Sequence, residues 1–124
     1  MKIYISGGMR GYPQYNFPAF YAAERRLIDE GHKVINPARI DEAKGFDKNL
    51  PLEEQDFDLH ETIRCDIDEL LGCDAIYMLT GWWKSMGAFA ELCVARWAGK
   101  KLLFQTRDKE LVILKKLWKG HYHE

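Results

Sequence analysis

The chain has 124 residues, of which 47% are hydrophobic and 30% are charged, and its formal net charge is −1. This composition indicates one globular domain over residues 1–124 and excludes a disordered chain. Lysine and arginine are spread along the chain, which argues against a nucleic-acid polymer or a membrane surface as a partner. We find no leader-like or membrane-spanning run, and the three cysteines form no C-x-x-C pair. We therefore expect a reduced, cytoplasmic setting without structural disulfides or a metal site.

The first half of the chain predicts two strands separated by one helix. Lys2–Ser6 is a short apolar strand that runs into a glycine-rich turn at residues 7–11. A helix is predicted over Phe17–Glu30, with Asn16 as its N-cap. Val34–Ile35 follows as the second strand.

The second half continues the alternation after a long polar segment. Residues 38–58 lack sustained periodicity, which predicts a loop of the functional-lid or disordered type. The elements predicted after it are a helix over Leu59–Leu71, a strand over Ala75–Leu79, a helix capped by Ser85 and ending near Ala98, a strand over Lys101–Phe104, and a helix over Arg107–Trp118.

Strands that alternate with helices predict an α/β fold of the doubly wound, flavodoxin- or Rossmann-like type. We expect a parallel sheet of four to five strands with helices on both faces. Ligands of such sheets bind beyond the carboxyl ends of the strands, where the strand order reverses. The two glycine-containing turns, at residues 7–11 and 80–84, both follow predicted strands and so fall on that edge.

Two acidic side chains lie where an apolar core would normally exclude them. Glu91 belongs to a nearly apolar helix, and its helical neighbours three and four positions away are all small or apolar. Asp66 lies on the apolar stripe of its own helix. A carboxylate in a partly dry cleft has a shifted pKa, which suits nucleophilic or acid–base chemistry. The alternatives are that the helix dipole stabilises Glu91 and that Asp66 braces a neighbouring loop.

The same edge of the sheet predicts a site for an anion. Backbone N–H groups at Gly7 and Gly8 can point at a phosphate, as can those at the start of the helix capped by Ser85. Arg10 can add a permanently charged partner.

Two adjacent tryptophans, Trp82 and Trp83, occupy the second glycine-containing turn. Since two neighbouring rings cannot both enter the core from a tight turn, one of them could stack on a base of the ligand. The alternatives are packing beneath a lid and contact with another subunit.

Three motifs together resemble the nucleoside 2-deoxyribosyltransferase superfamily. They are Y-x-S-G-G-M-R-G from Tyr4, D-I-D-E-L-L-G-C-D-A from Asp66, and G-W-W-K-S-M-G-A-F-A-E from Gly81. The likeness covers about residues 2 to 104. It is closest to short bacterial and phage proteins that share the Y-N-F-P-A-F signature found here at Tyr15–Phe20, and the chain is also similar to 2'-deoxynucleoside 5'-monophosphate N-glycosidases.

The resemblance implies catalytic roles for three residues. Glu91 matches the nucleophilic glutamate of the S-x-G-x-x-x-E motif. Asp66 matches the aspartate that acts at the sugar and base, and Tyr4 matches the tyrosine that orients the nucleophile.

The resemblance also implies a substrate-binding set. Ser85 and Arg10 match phosphate-binding residues of the monophosphate hydrolases, and Gly7 and Gly87 are expected beside the substrate. Gly8 stands where those hydrolases carry a serine.

The implied function is cleavage of the N-glycosidic bond of a nucleotide through a glycosyl-enzyme intermediate. A 2'-deoxynucleoside 5'-monophosphate is the first choice of substrate, and no cofactor is implied. Two alternatives stay open: a nucleoside 2-deoxyribosyltransferase that exchanges bases, and a non-catalytic module that senses a nucleotide.

The resemblance further implies a homodimer. The helix capped by Ser85 carries more apolar surface than one sheet face can cover, and Phe89, Leu92, Cys93 and Trp97 are candidates to face a second subunit.

Overall fold

Four parallel strands form one sheet in a computed structural model that describes residues 1–106 together with residues 112, 114–116, 118 and 119. The strands are β1 (Lys2–Ser6), β2 (Lys33–Ile35), β3 (Ala75–Met78) and β4 (Lys101–Phe104). Their order is β2-β1-β3-β4, and every neighbouring pair is parallel. The predicted parallel α/β sheet is thus confirmed.

Helices cover both faces of the sheet, as predicted. They are α1 (Phe17–Asp29), α2 (Pro37–Ala43), α3 (Leu59–Leu71) and α4 (Met86–Trp97). Successive side chains of a strand point to opposite faces. Ile3 and Ile5 accordingly pack with α1 and the start of α2, whereas Tyr4 packs with α3 and α4.

The strand order reverses between β1 and β3. The chain places β2 on one side of β1 and then crosses to place β3 on the other side. The backbone N–H of Leu79 donates to the carbonyl of Ser6 at 2.8 Å, so the two strand ends are joined. A Cβ at Gly7 would lie only 2.8 Å from Leu79, which is why the turn after β1 requires glycine here.

The segment predicted as a long polar loop contains regular structure. Helix α2 begins just before it and extends into it. The Asn36 side chain starts this helix by accepting a hydrogen bond from the Ala38 N–H at 2.9 Å, and Pro37 occupies the first turn. A short 3-10 turn follows at Leu52–Glu54. The prediction of one uninterrupted loop over 38–58 was wrong, since the Asn-Pro pair starts a helix as well as ending a strand.

Asn16 precedes α1, but its side chain makes no capping hydrogen bond. Its φ is +64°, and its amide donates instead to the carbonyl of Gly8 at 2.9 Å. Asn16 thus occupies the predicted N-cap position, but the expected capping hydrogen bond is absent because the side chain bonds to the glycine-rich turn instead.

The predicted helix over Arg107–Trp118 falls mostly outside the described residues. Within the part of the chain that the structure describes, no helix combines the length and the apolar character needed to cross a membrane.

Candidate active site

A cavity of about 560 Å³ lies beyond the carboxyl ends of β1 and β3. Its size suits a small molecule. The walls come from the turn after β1, the segment before α3, and the inner faces of α3 and α4. The lining residues are Tyr4, Gly7, Gly8, Met9, Arg10, Tyr12, Phe20, Pro37, Phe57, Leu59, Thr62, Ile63, Asp66, Ile67, Lys84, Ser85, Met86, Gly87, Ala88, Ala90 and Glu91.

Glu91 is held in this cavity by two hydroxyl groups of β1. The Tyr4 hydroxyl donates to Oε2 and the Ser6 hydroxyl donates to Oε1, each at 2.6 Å. Tyr4 and Ser6 are two positions apart on one strand, so they face the same side of the sheet. Helix α4 brings Glu91 over that face, with its first turn fixed by Ser85, whose Oγ accepts from the Ala88 N–H at 3.1 Å.

The electrostatic surroundings of Glu91 disfavour its charge. Burial raises the pKa of Glu91 to about 7, although the hydrogen bonds from Ser6 and Tyr4 act in the opposite direction. Burial and the nearby Glu91 also raise the pKa of Tyr4 well above its ordinary value, so the phenol keeps the proton that it donates.

Asp66 faces the same cavity from α3. Burial first, and then the charges of Glu91 and Asp41, raise the pKa of Asp66 to about 8. Between these two pKa values the pair therefore holds about one proton. Two hydroxyl donors stabilise the ionised form of Glu91, so we place this proton on Asp66.

Cationic and N–H groups also line the cavity. Arg10 follows the first glycine turn and Lys84 precedes α4, and both are cavity-lining. Gly87 lies in the first turn of α4, where backbone N–H groups and the helix dipole favour an anion. The guanidinium of Arg10 stands 5.7 Å from the ring centre of Phe57.

Eight of the ten predicted site residues meet around this cavity, but the two tryptophans do not line it. Trp82 is fully buried in the core, against Phe89 and Phe104. Trp83 packs edge-on against Trp82 at 5.9 Å. The prediction that one ring faces the ligand is corrected here: the short 3-10 turn Trp82–Lys84 directs the first ring inward and lays the second beside it.

A correction also applies to the helix face predicted to meet a second subunit. Leu92 is fully buried in the core, and Phe89 and Cys93 pack partly against it. Trp97 is 88% exposed, and Met86, which was not among the predicted residues, is 84% exposed.

The ring of Tyr12 limits the size of the residue at position 8. A Cβ at Gly8 would lie 2.9 Å from Cε2 of Tyr12. The aromatic side chain thus occupies the space that a larger residue at position 8 would need.

Sequence reasoning missed three residues of the site. Ser6 had a usable signal, because it lies two positions after Tyr4 on the same strand face. Lys84 lies directly before the predicted cap Ser85, which is also a usable signal. Phe57 gave none, since it belongs to the segment without periodicity.

Among the described residues, no three histidine, cysteine or acidic side chains are grouped so that they could hold a metal ion.

A solved structure that this chain resembles comes from work on a 2-deoxyribosyltransferase from the psychrotolerant bacterium Bacillus psychrosaccharolyticus, with a TM-score of 0.62 and 21% sequence identity. The likeness covers 84% of this chain and 71% of the other, and it shows a common fold. No curated protein is detectably similar in sequence. The sequence profile of one family matches residues 1–104, and the chain therefore belongs to the family described as Domain of unknown function (DUF4406).

Proposed function

We propose that the protein hydrolyses the N-glycosidic bond of a 2'-deoxynucleoside 5'-monophosphate. One observation carries the proposal: Glu91, hydrogen-bonded by two hydroxyl groups at 2.6 Å, shares a cavity with the acid Asp66. A carboxylate nucleophile and a protonated carboxyl group are the two functions that this reaction needs.

The proposed first step transfers the sugar to the protein. The ionised Glu91 attacks C1' while the C1'–N bond breaks, and the bonding electrons leave with the base. Asp66 donates its proton to the departing base, so a neutral base is released. The oxocarbenium-like charge that develops on the sugar is stabilised by Glu91.

The second step releases the sugar phosphate. Water attacks C1' of the glycosyl ester, and the ionised Asp66 accepts a proton from it. The C1'–O bond to Glu91 breaks and returns the free carboxylate. Tyr4 and Ser6 hold Glu91 through both steps, because their hydroxyls fix its two oxygens.

The cationic groups that line the cavity support a phosphorylated substrate. Arg10 and Lys84 supply positive charge there, and the start of α4 supplies N–H groups. A free 5'-hydroxyl would leave these groups without an anionic partner.

Base exchange is the second candidate function. It is favoured by the fold shared with a protein named as a 2-deoxyribosyltransferase. In that reaction a second base, instead of water, attacks C1' of the glycosyl ester, and the Glu91 chemistry is otherwise the same.

Chromatography of free base can test these functions directly. The four common 2'-deoxynucleoside 5'-monophosphates and the corresponding nucleosides are incubated with wild type and with Glu91→Ala, with and without a second free base. Release of base from a monophosphate by wild type alone supports hydrolysis, and a new nucleoside or nucleotide indicates exchange. Thermal stabilisation by a nucleotide without either product would show a binding module instead.

We also propose a cytoplasmic homodimer. Met86 and Trp97 expose apolar surface on α4, which a second copy of the chain could cover. A reducing compartment would keep the three free cysteines as thiols. Sedimentation of wild type against Trp97→Glu tests the assembly: we expect a dimer that the substitution weakens.

A further inference from the structure

The Y-N-F-P-A-F signature at Tyr15–Phe20 takes no part in the chemistry proposed above. It begins with a strained backbone, because Gln14, Tyr15 and Asn16 are consecutive non-glycine residues with φ of 52°, 54° and 64°. Left-handed backbone is unfavourable for such residues and persists only where surrounding contacts enforce it. The contacts that these residues make therefore indicate which part of the structure requires this backbone conformation.

One of these contacts joins Asn16 to the glycine-rich turn. The Asn16 amide donates to the carbonyl of Gly8 at 2.9 Å, which fixes the backbone two positions before Arg10. The other contacts lead to the segment 46–57. Gln14 donates to the Asn49 side chain at 3.0 Å, and the Tyr15 hydroxyl donates to the carbonyl of Leu50 at 2.6 Å.

The segment 46–57 is tied together by its own hydrogen bonds. The Gln55 side chain donates to the carbonyls of Asp47 and Leu50 at 2.9 and 3.0 Å, and it accepts from the Asp47 N–H at 2.8 Å. These hydrogen bonds fix the backbone of the segment and so fix the positions of its aromatic residues.

A row of aromatic rings connects the signature to Arg10. Tyr15 meets Phe46 edge-on with ring centres 5.0 Å apart, and Phe46 meets Phe57 at 6.1 Å. The Arg10 guanidinium then lies over Phe57, 5.7 Å from its centre. Phe17 adds a contact with Phe46 at 5.7 Å, and its own ring is buried in the core.

Asn16 thus fixes the backbone two residues before Arg10, and Phe57 contacts the charged group of Arg10. An exposed arginine loses considerable side-chain entropy when it binds an anion, and a stacked guanidinium has already lost part of it. We propose that Phe57 and Asn16 are positioning residues that direct Arg10 at the phosphate of the substrate and so set the preference for monophosphate over nucleoside. This inference rests on the proposed function, since it assumes that the ligand is a nucleotide.

The test measures Kd by calorimetry for each 2'-deoxynucleoside and its 5'-monophosphate, and KM and kcat where base is released. We expect Phe57→Leu to reduce the ratio of nucleoside Kd to monophosphate Kd by about five- to tenfold. Phe57→Tyr keeps the aromatic ring and should therefore keep the wild-type ratio. Asn16→Gly tolerates the positive φ but lacks the amide, and we expect it to reduce the same ratio. Tyr21→Leu is the matched control, because it removes an arginine–aromatic contact of 4.9 Å with Arg39 outside the cavity.

A double-mutant cycle separates positioning from general damage. In an Arg10→Ala background, Phe57→Leu should cause no further loss of discrimination, because the residue acts through Arg10. An equal loss in both backgrounds, or full discrimination in Phe57→Leu and Asn16→Gly, would overturn the inference. Preserved discrimination by wild type without any base release would refute the hydrolysis and leave the positioning role standing. Release of base by wild type with no preference for the monophosphate would support cleavage of the glycosidic bond and overturn the positioning role. A wild type that neither releases base nor prefers the monophosphate would overturn both proposals.

Discussion

Two glutamates of this molecule are both withdrawn from water, and their surroundings differ in one respect. Glu24 on α1 accepts hydrogen bonds from Nε and a terminal nitrogen of Arg39, both at 2.8 Å, and from the Asn36 amide at 3.2 Å. Glu91 on α4 accepts from the hydroxyls of Tyr4 and Ser6. One carboxylate has a cation beside it, and the other has neutral donors.

The pKa values follow from that difference. Burial raises the pKa of Glu24, but the hydrogen bonds from Arg39 and Asn36 outweigh it and leave the pKa below its usual range. For Glu91 the hydroxyls do not outweigh burial, and the pKa rises to about 7. The ion pair with Arg39 joins Glu24 of α1 to α2, whereas the hydroxyl donors leave Glu91 with a pKa near neutrality. The comparison therefore separates an acid that joins two helices from one that suits the chemistry proposed above.

The largest effect is expected at Glu91. Glu91→Gln keeps the shape but removes the nucleophile, so base release should fall by at least about a thousandfold. The variant should be as stable as wild type or more stable near pH 8, because a poorly compensated buried charge is lost. Glu24→Gln is the matched control and should retain turnover. Equal loss of turnover in both variants, measured chromatographically, would contradict the distinction.

The second effect concerns the proton on Asp66. Its raised pKa means that the folded protein holds a proton that the unfolded chain releases, so its contribution to stability declines as pH rises from about 4 to about 8. Asp66→Asn should remove this decline, raising Tm at pH 8 by about 5 °C and changing it little at pH 4.

Turnover should respond to the same substitution. With Glu91 ionised and Asp66 protonated, the rate should be bell-shaped, with limbs near the pKa values of about 7 and about 8. Asp66→Asn should lower base release by about a hundredfold and abolish the alkaline limb. A persistent alkaline limb in the variant would assign that proton to another group.

The third prediction concerns the cation beside Glu24. Arg39→Met leaves Glu24 buried without its cation and should destabilise the fold by about 1–2 kcal/mol at pH 7. Because the wild-type pKa of Glu24 is lowered, the stabilisation is present above the unfolded pKa and is lost as pH falls through the folded one. Urea unfolding at pH 7 and pH 3 should show the larger difference at pH 7. The same loss at both pH values would mean that Arg39 acts through packing on Tyr21.

Local signals predicted most of the fold. The bounds of α3 were predicted to the residue, because an apolar stripe is closed by Gly72. Helix α4 was also placed within one residue, since Ser85 caps it and Gly99 follows it. Helix α2 was missed because seven residues show too little periodicity to distinguish a helix from a loop.

The candidate site was less accessible to sequence reasoning. The environment of Glu91 indicated a desolvated acid, but its partners Tyr4 and Ser6 lie 87 and 85 positions away along the chain. Tyr4 came only from the resemblance to a family. The inward turn of Trp82 depends on contacts with Phe89 and Phe104, which local spacing does not encode.

The smallest effect should distinguish the two hydroxyls that hold Glu91. Ser6→Ala and Tyr4→Phe each delete one donor to the ionised carboxylate, so each should raise the pKa of Glu91 further and move the acidic limb of the rate profile about one unit higher. Base release at pH 7 should fall by about fivefold in either variant, and the two pH–rate profiles provide the measurement. Because both donors stand 2.6 Å from their oxygens, the shifts should be similar. If the rate falls while the acidic limb stays in place, the hydroxyl orients Glu91 without stabilising its charge. That result would contradict the claim that this neutral donor lowers the pKa of Glu91.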